Sequence, residues 1–233
     1  MNKIKMITFD LDDTLWDNRH TIINAEIETR KWIEDRVGKI KWGDLNDFLN
    51  LRKELIKKDE SIEWDIGKLR KEIFKEKLKH IRPTSLRNKI VNDAFEIFID
   101  KRHLIKLYDG VEDSLKILSK KYELGVLTNG NADIYKFEIG RYFKFSISSL
   151  EAKDNKPNRS HFDKASKKLE GIKFDEMLHI GDHQINDIIG ANNLGINTLW
   201  FNKNNNEWEQ DSKKPDEFSS WKRLPEIIEK YYG

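Results

Sequence analysis

Apolar positions follow two different rhythms along the 233-residue chain. The first run, Ile4 to Phe9, has the length of a buried strand. Behind it the spacing becomes helical. Ile23, Ile27, Ile33 and Val37 form one set, and Leu45, Phe48, Leu49 and Leu55 a second. Ile66, Leu69, Ile73, Leu78 and Ile81 form a third, and Leu86, Ile90, Ala94 and Phe98 a fourth. Glycine, proline or serine interrupts the pattern near Gly38 to Gly43, Asp59 to Glu63 and Arg82 to Ser85. Four amphipathic helices with short connections predict a small antiparallel bundle.

From Asp109 onward, helix and strand alternate. Val111 to Lys121 reads as a helix leading into the run Leu124 to Leu127, and a helix near Ala132 to Ile139 precedes an extended Phe143 to Ile147. Ser160 to Leu169 is helical before Met177 to Ile180, and Asp187 to Leu194 before Ile196 to Phe201. This alternation predicts a parallel sheet with right-handed crossovers. Asn202 to Phe218 is polar and reads as a surface excursion before a closing helix, Leu224 to Tyr231. The expected fold class is α/β, a parallel sheet built from residues 1–16 and 106–233. Residues 17–105 form an inserted α-helical bundle.

Composition narrows the function classes. Lys+Arg number 43 and Asp+Glu 41, a net charge of +2, and no basic block stands apart from neighbouring acids. A nucleic-acid face is therefore not expected. Cysteine is absent, which excludes disulfides, thiolate zinc sites and cysteine nucleophiles. A strand starting almost at Met1 and the lack of any long apolar run predict a cytoplasmic protein with no membrane segment. The oligomeric state leaves no mark in the sequence.

The informative polar segments follow the strands. Asp10-Leu11-Asp12-Asp13-Thr14 ends the first, Thr128-Asn129-Gly130 the second, Lys156-Pro157 comes after the third, and Gly181-Asp182 with Asn186-Asp187 after the fourth. In a parallel sheet these ends share one edge, where open α/β folds bind ligands. The residue types suit cleavage of a phosphate monoester, whose dianion repels nucleophiles and whose alkoxide leaves poorly. Asp10 can attack phosphorus and form an acyl phosphate. Asp12, two residues on and therefore on the same side of extended backbone, can protonate the leaving oxygen and then activate water. Thr14 is placed to support the turn and the orientation of Asp12. Lys156 supplies a fixed positive charge, and Thr128 with the amides of Asn129 and Gly130 can bind phosphoryl oxygens. Mg2+ takes oxygen ligands, and the expected ones are Asp10, the Asp12 carbonyl oxygen and Asp182. Asp187 is expected to hold a metal-bound water or to brace Lys156.

These four segments, in this order, resemble the motifs of the haloacid dehalogenase-like (HAD) superfamily. The resemblance implies a Rossmann-like core, an aspartyl-phosphate mechanism and Mg2+, with the insert resembling a type 1 cap. Asp12 matters within it, because dehalogenase members and P-type ATPases lack an aspartate there whereas phosphatases and phosphomutases carry it. The stretch Phe9 to Arg19, together with Thr128 to Ala132 and Leu178 to Asp182, is similar to bacterial phosphatases acting on flavin mononucleotide or on 5-amino-6-(5-phosphoribitylamino)uracil. The implied partner is a small phosphorylated metabolite. After Lys156-Pro157 the chain runs into Asn158-Arg159-Ser160 instead of the frequent Asp-Pro, which leaves the lysine's role intact.

Each segment also has a plainer reading on its own: solvated acids at a strand end, a turn, a helix cap, a surface lysine. Their joint occurrence favours the chemical reading. His20, His103 and His183 follow no metal spacing, with His183 the one placed to touch substrate. Trp16 reads as hinge packing, Trp42 and Trp64 as packing near helix ends, and Asn204 to Asn206 as a solvated loop. A sugar phosphomutase on the same scaffold and a non-catalytic binding domain are the rival functions.

Overall fold

In this computed structural model residues 3–169 and 171–232 are described. The opening run forms β1 (Met6–Phe9), fully buried. The inserted helices are α1 (Asn18–Val37), α2 (Leu45–Lys58), α3 (Ile66–Lys77) and α4 (Thr84–Arg102), with a 3₁₀ turn at Glu60–Glu63. Then follow α5 (Val111–Leu118), β2 (Glu123–Thr128), β3 (Phe145–Ser148), α6 (Ser149–Ala152), α7 (Ser160–Lys168) and β4 (Met177–Gly181). The last elements are α8 (Gly190–Asn192), β5 (Asn197–Phe201), β6 (Asp216–Phe218) and α9 (Leu224–Tyr232). The chain divides into two compact units, one running to Asp17 and resuming at Lys106, the other comprising Asn18–Ile105.

The first unit is a six-stranded sheet in the order β3-β2-β1-β4-β5-β6, with every pairing parallel. Strand order reverses direction at β1, because the chain moves outward to β2 and β3 and then returns to β4 on the other side. Asp10 and Asp182 leave the sheet from these adjacent strands, at the crevice where doubly wound sheets bind ligands. The register pairs Thr8 with His179 and Phe9 with both Val126 and Ile180, and the Asp10 N–H donates to the Ile180 carbonyl at 2.9 Å. The central strands bury nearly every residue, as a sheet covered on both faces requires.

Three expectations for this unit fail. No α-helix covers Ala132 to Ile139; Ile134–Lys136 and Glu138–Tyr142 are 3₁₀ turns separated by an extended Phe137. A Cβ at Gly140 would lie 2.6 Å from the Ile134 carbonyl oxygen, so the chain there is folded tightly on itself. The helix expected from Asp187 begins earlier, as a π-helical segment Gln184–Ile189 that runs into α8. The polar stretch before the closing helix contributes the edge strand β6, which its exposed Asp216 and Glu217 hid from the hydrophobic pattern.

In the helical unit the elements fall where the periodicity put them, but two buried faces differ. α1 buries Thr21, Ala25, Thr29 and Ile33 and packs on α4, while Ile23 and Ile27 are 46% and 55% exposed. Small side chains let helix backbones approach closely, so a row of threonine and alanine outcompetes a row of isoleucine. In α2 only Leu55 is buried, and it joins Ile62 and Leu69 in a small cluster; Leu45, Phe48 and Leu49 are exposed. The larger cluster unites Ile33, Phe74, Leu78, Ile90, Val91 and Ala94. Among the described residues no helix is long and apolar enough to cross a membrane.

Candidate active site

The strand ends converge on a cleft of about 170 Å³ lined by Asp10, Asp12, Asp13, Thr128, Asn129, Gly130, Lys156, Asp182, His183, Asn186 and Asp187. Every site residue expected from the sequence therefore faces one cavity. Its volume falls below that of pockets enclosing whole drug-sized ligands, roughly 300–1,000 Å³. It is sized for a phosphoryl group with an ion, and the remainder of any larger ligand lies outside it.

Lys156 is the hub. Its Nζ donates to Asp10 Oδ1 at 2.8 Å, to Asp187 Oδ1 at 2.6 Å and to the Leu127 carbonyl at 2.6 Å. Three acceptors exhaust the three ammonium protons, so the cation is fixed in direction as well as position. Its backbone is fixed too: Asn129 Oδ1 accepts from the Lys156 N–H at 2.8 Å, and Asn129 Nδ2 donates to the Lys156 carbonyl at 2.9 Å. The Asn129 side chain is thus a two-point clamp on the lysine loop, braced by the Ser149 hydroxyl at 3.3 Å. Thr128 accepts from the Gly130 N–H at 2.9 Å, which curls the loop around its hydroxyl.

On the other side, Asp187 accepts from the His183 N–H through Oδ2 at 3.0 Å and faces His179 Nε2 through Oδ1 at 3.3 Å. A carboxylate can only accept, so His179 carries its hydrogen on Nε2 and accepts at Nδ1 from the Thr8 hydroxyl at 2.9 Å. The register that pairs Thr8 with His179 creates that contact. Gly181 leaves room for Asp187, because a Cβ there would come within 2.6 Å of the Asp187 Cβ. The Asp182 carboxylate accepts from the Thr14 hydroxyl at 3.1 Å, and its carbonyl from the Trp200 indole at 2.8 Å. The Asp12 carboxylate accepts from the Trp16 indole at 3.0 Å. Thr14 therefore supports Asp182, not Asp12 as expected. His183 Nδ1 accepts from the Ile185 and Asn186 N–H groups at 3.2 and 3.1 Å and so caps the following turn.

These contacts decide the charge state of the cluster. Burial pushes the Asp10 carboxyl well above the usual carboxylate range, against the opposing pull of Lys156, and Asp187 and Asp182 add to the rise. Asp182 is pushed up to about 7 by burial, then by Asp187 and Asp13. Burial would raise Asp187 as well, but Lys156 and His179 overcome it and hold the group below the ordinary range. Lys156 is held above its ordinary range because Asp10 and Asp187 outweigh the burial that opposes its charge. One ammonium thus faces three carboxylates whose oxygens lie within 4.8 Å of one another. Burial therefore resists ionisation of Asp10 and Asp182, and with all three acids ionised two negative charges would exceed the ammonium, which a divalent cation would cancel. The donors are all hard oxygens, so the residues fit Mg2+.

A model of the haloacid dehalogenase-like hydrolases matches residues 4–195. The chain belongs to that family. It is 29% identical over 211 residues to the 5-amino-6-(5-phospho-D-ribitylamino)uracil phosphatase of Escherichia coli, covering 90% of this chain and 88% of that protein. It is 28% identical over 207 residues to the glyceraldehyde 3-phosphate phosphatase of Pyrococcus furiosus, covering 86% and 82%. Among solved structures, a 2-haloacid dehalogenase from Pseudomonas syringae pv. Tomato superposes with a TM-score of 0.91 at 30% identity, covering 98% of this chain and 99% of that one.

Several residues of this HAD hydrolase's site escaped the sequence reading. Thr8 and His179 lie inside apolar strand runs, where an alternating pattern treats them as interruptions. His161 sits fully buried on α7, with Nε2 3.2 Å from the Thr128 carbonyl. Burial and the nearby Lys156 charge push this imidazole down to about 4, so it is neutral and donates from Nε2. Trp200 and Trp221 are buried, and both indoles anchor motif backbone, Trp200 through the Asp182 carbonyl and Trp221 through the Thr14 carbonyl at 3.1 Å. A strand position adjacent to a motif, carrying a polar side chain, was the one available signal.

Proposed function

We propose that this phosphatase hydrolyses a small phosphate monoester through an aspartyl-phosphate on Asp10. The observation that carries the reading is the seating of Lys156 between Asp10 and Asp187 inside a cleft of about 170 Å³ that Thr128, Asn129 and Gly130 also line. Asp10 is the nucleophile, Asp12 the acid and then the base, and Lys156 the charge that offsets the phosphoryl oxygens. Thr128 and the Asn129 backbone N–H bind those oxygens, while the Gly130 N–H, expected to join them, donates to the Thr128 hydroxyl instead. Asp10, the Asp12 carbonyl and Asp182 would hold Mg2+, which when bound supplies charge neutralisation between the acids and the phosphoryl group. Asp187 acts on the metal side through water, since its own oxygens engage Lys156, His179 and the His183 N–H. Residues 17–105 are assigned as the helical cap domain, and 1–16 with 106–233 as the catalytic core.

For the substrate we favour flavin mononucleotide or the phosphorylated riboflavin precursor, a reading supported by the Escherichia coli relative at 29% identity. The similar dehalogenase structure favours one alternative, displacement of halide from a 2-haloacid. Asp12 argues against it, because halide leaves without a proton and that chemistry has no use for an acid two residues after the nucleophile. The test is a release assay with Mg2+ over flavin mononucleotide, nucleotides, sugar phosphates, phosphoglycolate, an aryl phosphate and a 2-haloacid. Phosphate release that Asp10→Asn abolishes and a chelator suppresses is the expected result. Halide release instead, or unchanged turnover in Asp10→Asn, would overturn the reading.

A further inference from the structure

Asp182 is the first residue beyond β4, and the peptide group that links it to His183 is gripped at both ends. Its carbonyl accepts from the Trp200 indole at 2.8 Å, and its N–H donates to Asp187 Oδ2 at 3.0 Å. One peptide plane therefore joins two acids of the cleft. The Asp182 Cα lies in that plane, so fixing the plane fixes the base from which the side chain projects. The carboxylate at the other end is held separately, by the Thr14 hydroxyl at 3.1 Å. Trp200 is itself immobilised. It lies in β5, paired in register with Gly181, and is fully buried. Its ring meets that of Trp208 edge to face at 5.5 Å. The Trp208 indole donates to the Ser212 carbonyl at 2.8 Å. The chain on either side of Trp208 is tied to Gln184, which donates to the Glu207 carbonyl at 2.7 Å and accepts from the Glu209 N–H at 3.0 Å. The polar excursion after β5 is thus strapped to the turn that follows Asp182.

We infer that Trp200 is a positioning residue for the cation site: by holding the Asp182 carbonyl, its indole keeps the Asp182 and Asp187 carboxylates converged before an ion binds. The inference rests on the assignment of Asp182 to Mg2+ made above. Without the indole donor the peptide between Asp182 and His183 is held only through its N–H and can tilt about that contact. An ion must then order the turn as it binds, and that cost is subtracted from its affinity. Outer partners that orient a metal ligand are worth about 10–100-fold in metal affinity. A tryptophan that serves packing alone would also place its buried N–H against a nearby carbonyl. The two roles separate in metal affinity, since a packing residue stabilises the fold with or without the ion.

The variant Trp200→Phe keeps an aromatic ring in the sheet and deletes the N–H. The measurement is the Kd of Mg2+ by titration calorimetry on the full chain without substrate, with Tm in a chelator recorded beside it. Kd should rise by about 10-fold or more. Trp208→Phe trims the neighbouring ring by the same amount without touching Asp182, and its Kd should stay within about 2-fold of wild type. A Trp200→Phe protein whose Tm falls while its Kd is unchanged has lost packing alone, and the inference is overturned. An equal rise in Kd for both variants overturns it too, because lost volume would then explain the effect. Should Trp200→Phe fail to fold, the unaltered protein supplies a second test through its seven indole N–H resonances, assigned by through-bond correlation. Mg2+ must shift the Trp200 indole resonance, and one that stays still up to saturation sinks the proposal. Wild-type protein that binds no Mg2+ overturns the cation assignment of Asp182 itself. That result is distinct from a wild type that binds the ion and a Trp200 variant that binds it equally well.

Discussion

Replacing Lys156 by methionine keeps the side chain's length and volume and removes its charge. In the folded protein Nζ is bonded to Asp10 at 2.8 Å and Asp187 at 2.6 Å, with all three side chains nearly inaccessible to solvent. Deleting one partner of such a buried pair typically costs about 3–5 kcal/mol, because the remaining charges keep their desolvation penalty and lose their compensation. For a chain of this length 1 kcal/mol shifts Tm by roughly 2–4 °C, so Tm at pH 7 in a chelator should fall by about 6–20 °C.

The pH dependence carries a further signature. Lys156 is raised when folded, so its contribution is fully present below about 10.4 and lost only as pH rises through its higher folded value. Asp187 is depressed, so its contribution is present above about 3.9 and lost as pH falls through its lower folded value. Between pH 5 and 8 neither slope appears in the wild type. Asp182, pushed up to about 7, and Asp10, raised by burial even with Lys156 in place, give both proteins some gain on acidification. In Lys156→Met, Asp10 and Asp187 lose their counter-charge and take up protons on folding, so acidification from pH 7 to 5 should stabilise it more steeply than the wild type. Mg2+ at about 100 times its Kd adds about 2.7 kcal/mol to any protein that binds it only when folded, and the variant should retain that response. Urea denaturation at several pH values, with and without Mg2+, measures all three effects. A loss below about 1 kcal/mol, or parallel pH slopes in the two proteins, would refute the charge accounting.

Two further outcomes are expected. Gly181→Ala places a methyl 2.6 Å from the Asp187 Cβ and must displace that carboxylate from Lys156. Misplacement of this order costs about 10²-fold, so turnover should fall by about that factor with the fold retained by circular dichroism, and kcat within about 2-fold of wild type would sink the idea. His161, pushed down to about 4 by burial and then by Lys156, binds its proton more readily unfolded, so its contribution is fully present above about 6.5 and lost as pH falls toward 4. His161→Phe should therefore remove up to about 3 kcal/mol of acid sensitivity over that window, and superimposable denaturation profiles would contradict this.

The chemistry-bearing residues were legible because they are local. Each motif is a short polar segment following an apolar run, and strand periodicity alone predicts that such segments share an edge. Asp10, Asp12, Thr128, Lys156, Asp182 and Asp187 could be selected without knowing a single distance, and they line one cleft. What the sequence did not disclose is what holds them there. The Asn129 side chain clamps the lysine backbone 27 residues away, a contact that no local spacing signals.

The faces of the helices were illegible for a related reason. Periodicity counts large apolar residues, while close helix packing selects small ones, and Thr21, Ala25 and Thr29 carry no hydrophobic signal that Ile23 and Ile27 do not exceed. The π-helical turn after Asp182 and the edge strand β6 likewise depend on neighbours in space. By itself, then, the sequence determined the α/β alternation, the helical insert and which polar residues gather at the sheet edge, since these follow from local spacing and side-chain chemistry. Tertiary structure alone decided the register of Thr8 with His179, the indole bonds to Asp12, Asp182 and Thr14, and the charge state of the buried acids. Those properties belong to pairs of groups far apart in the chain, and a pair acquires an energy only when folding fixes its distance and removes the water between its members.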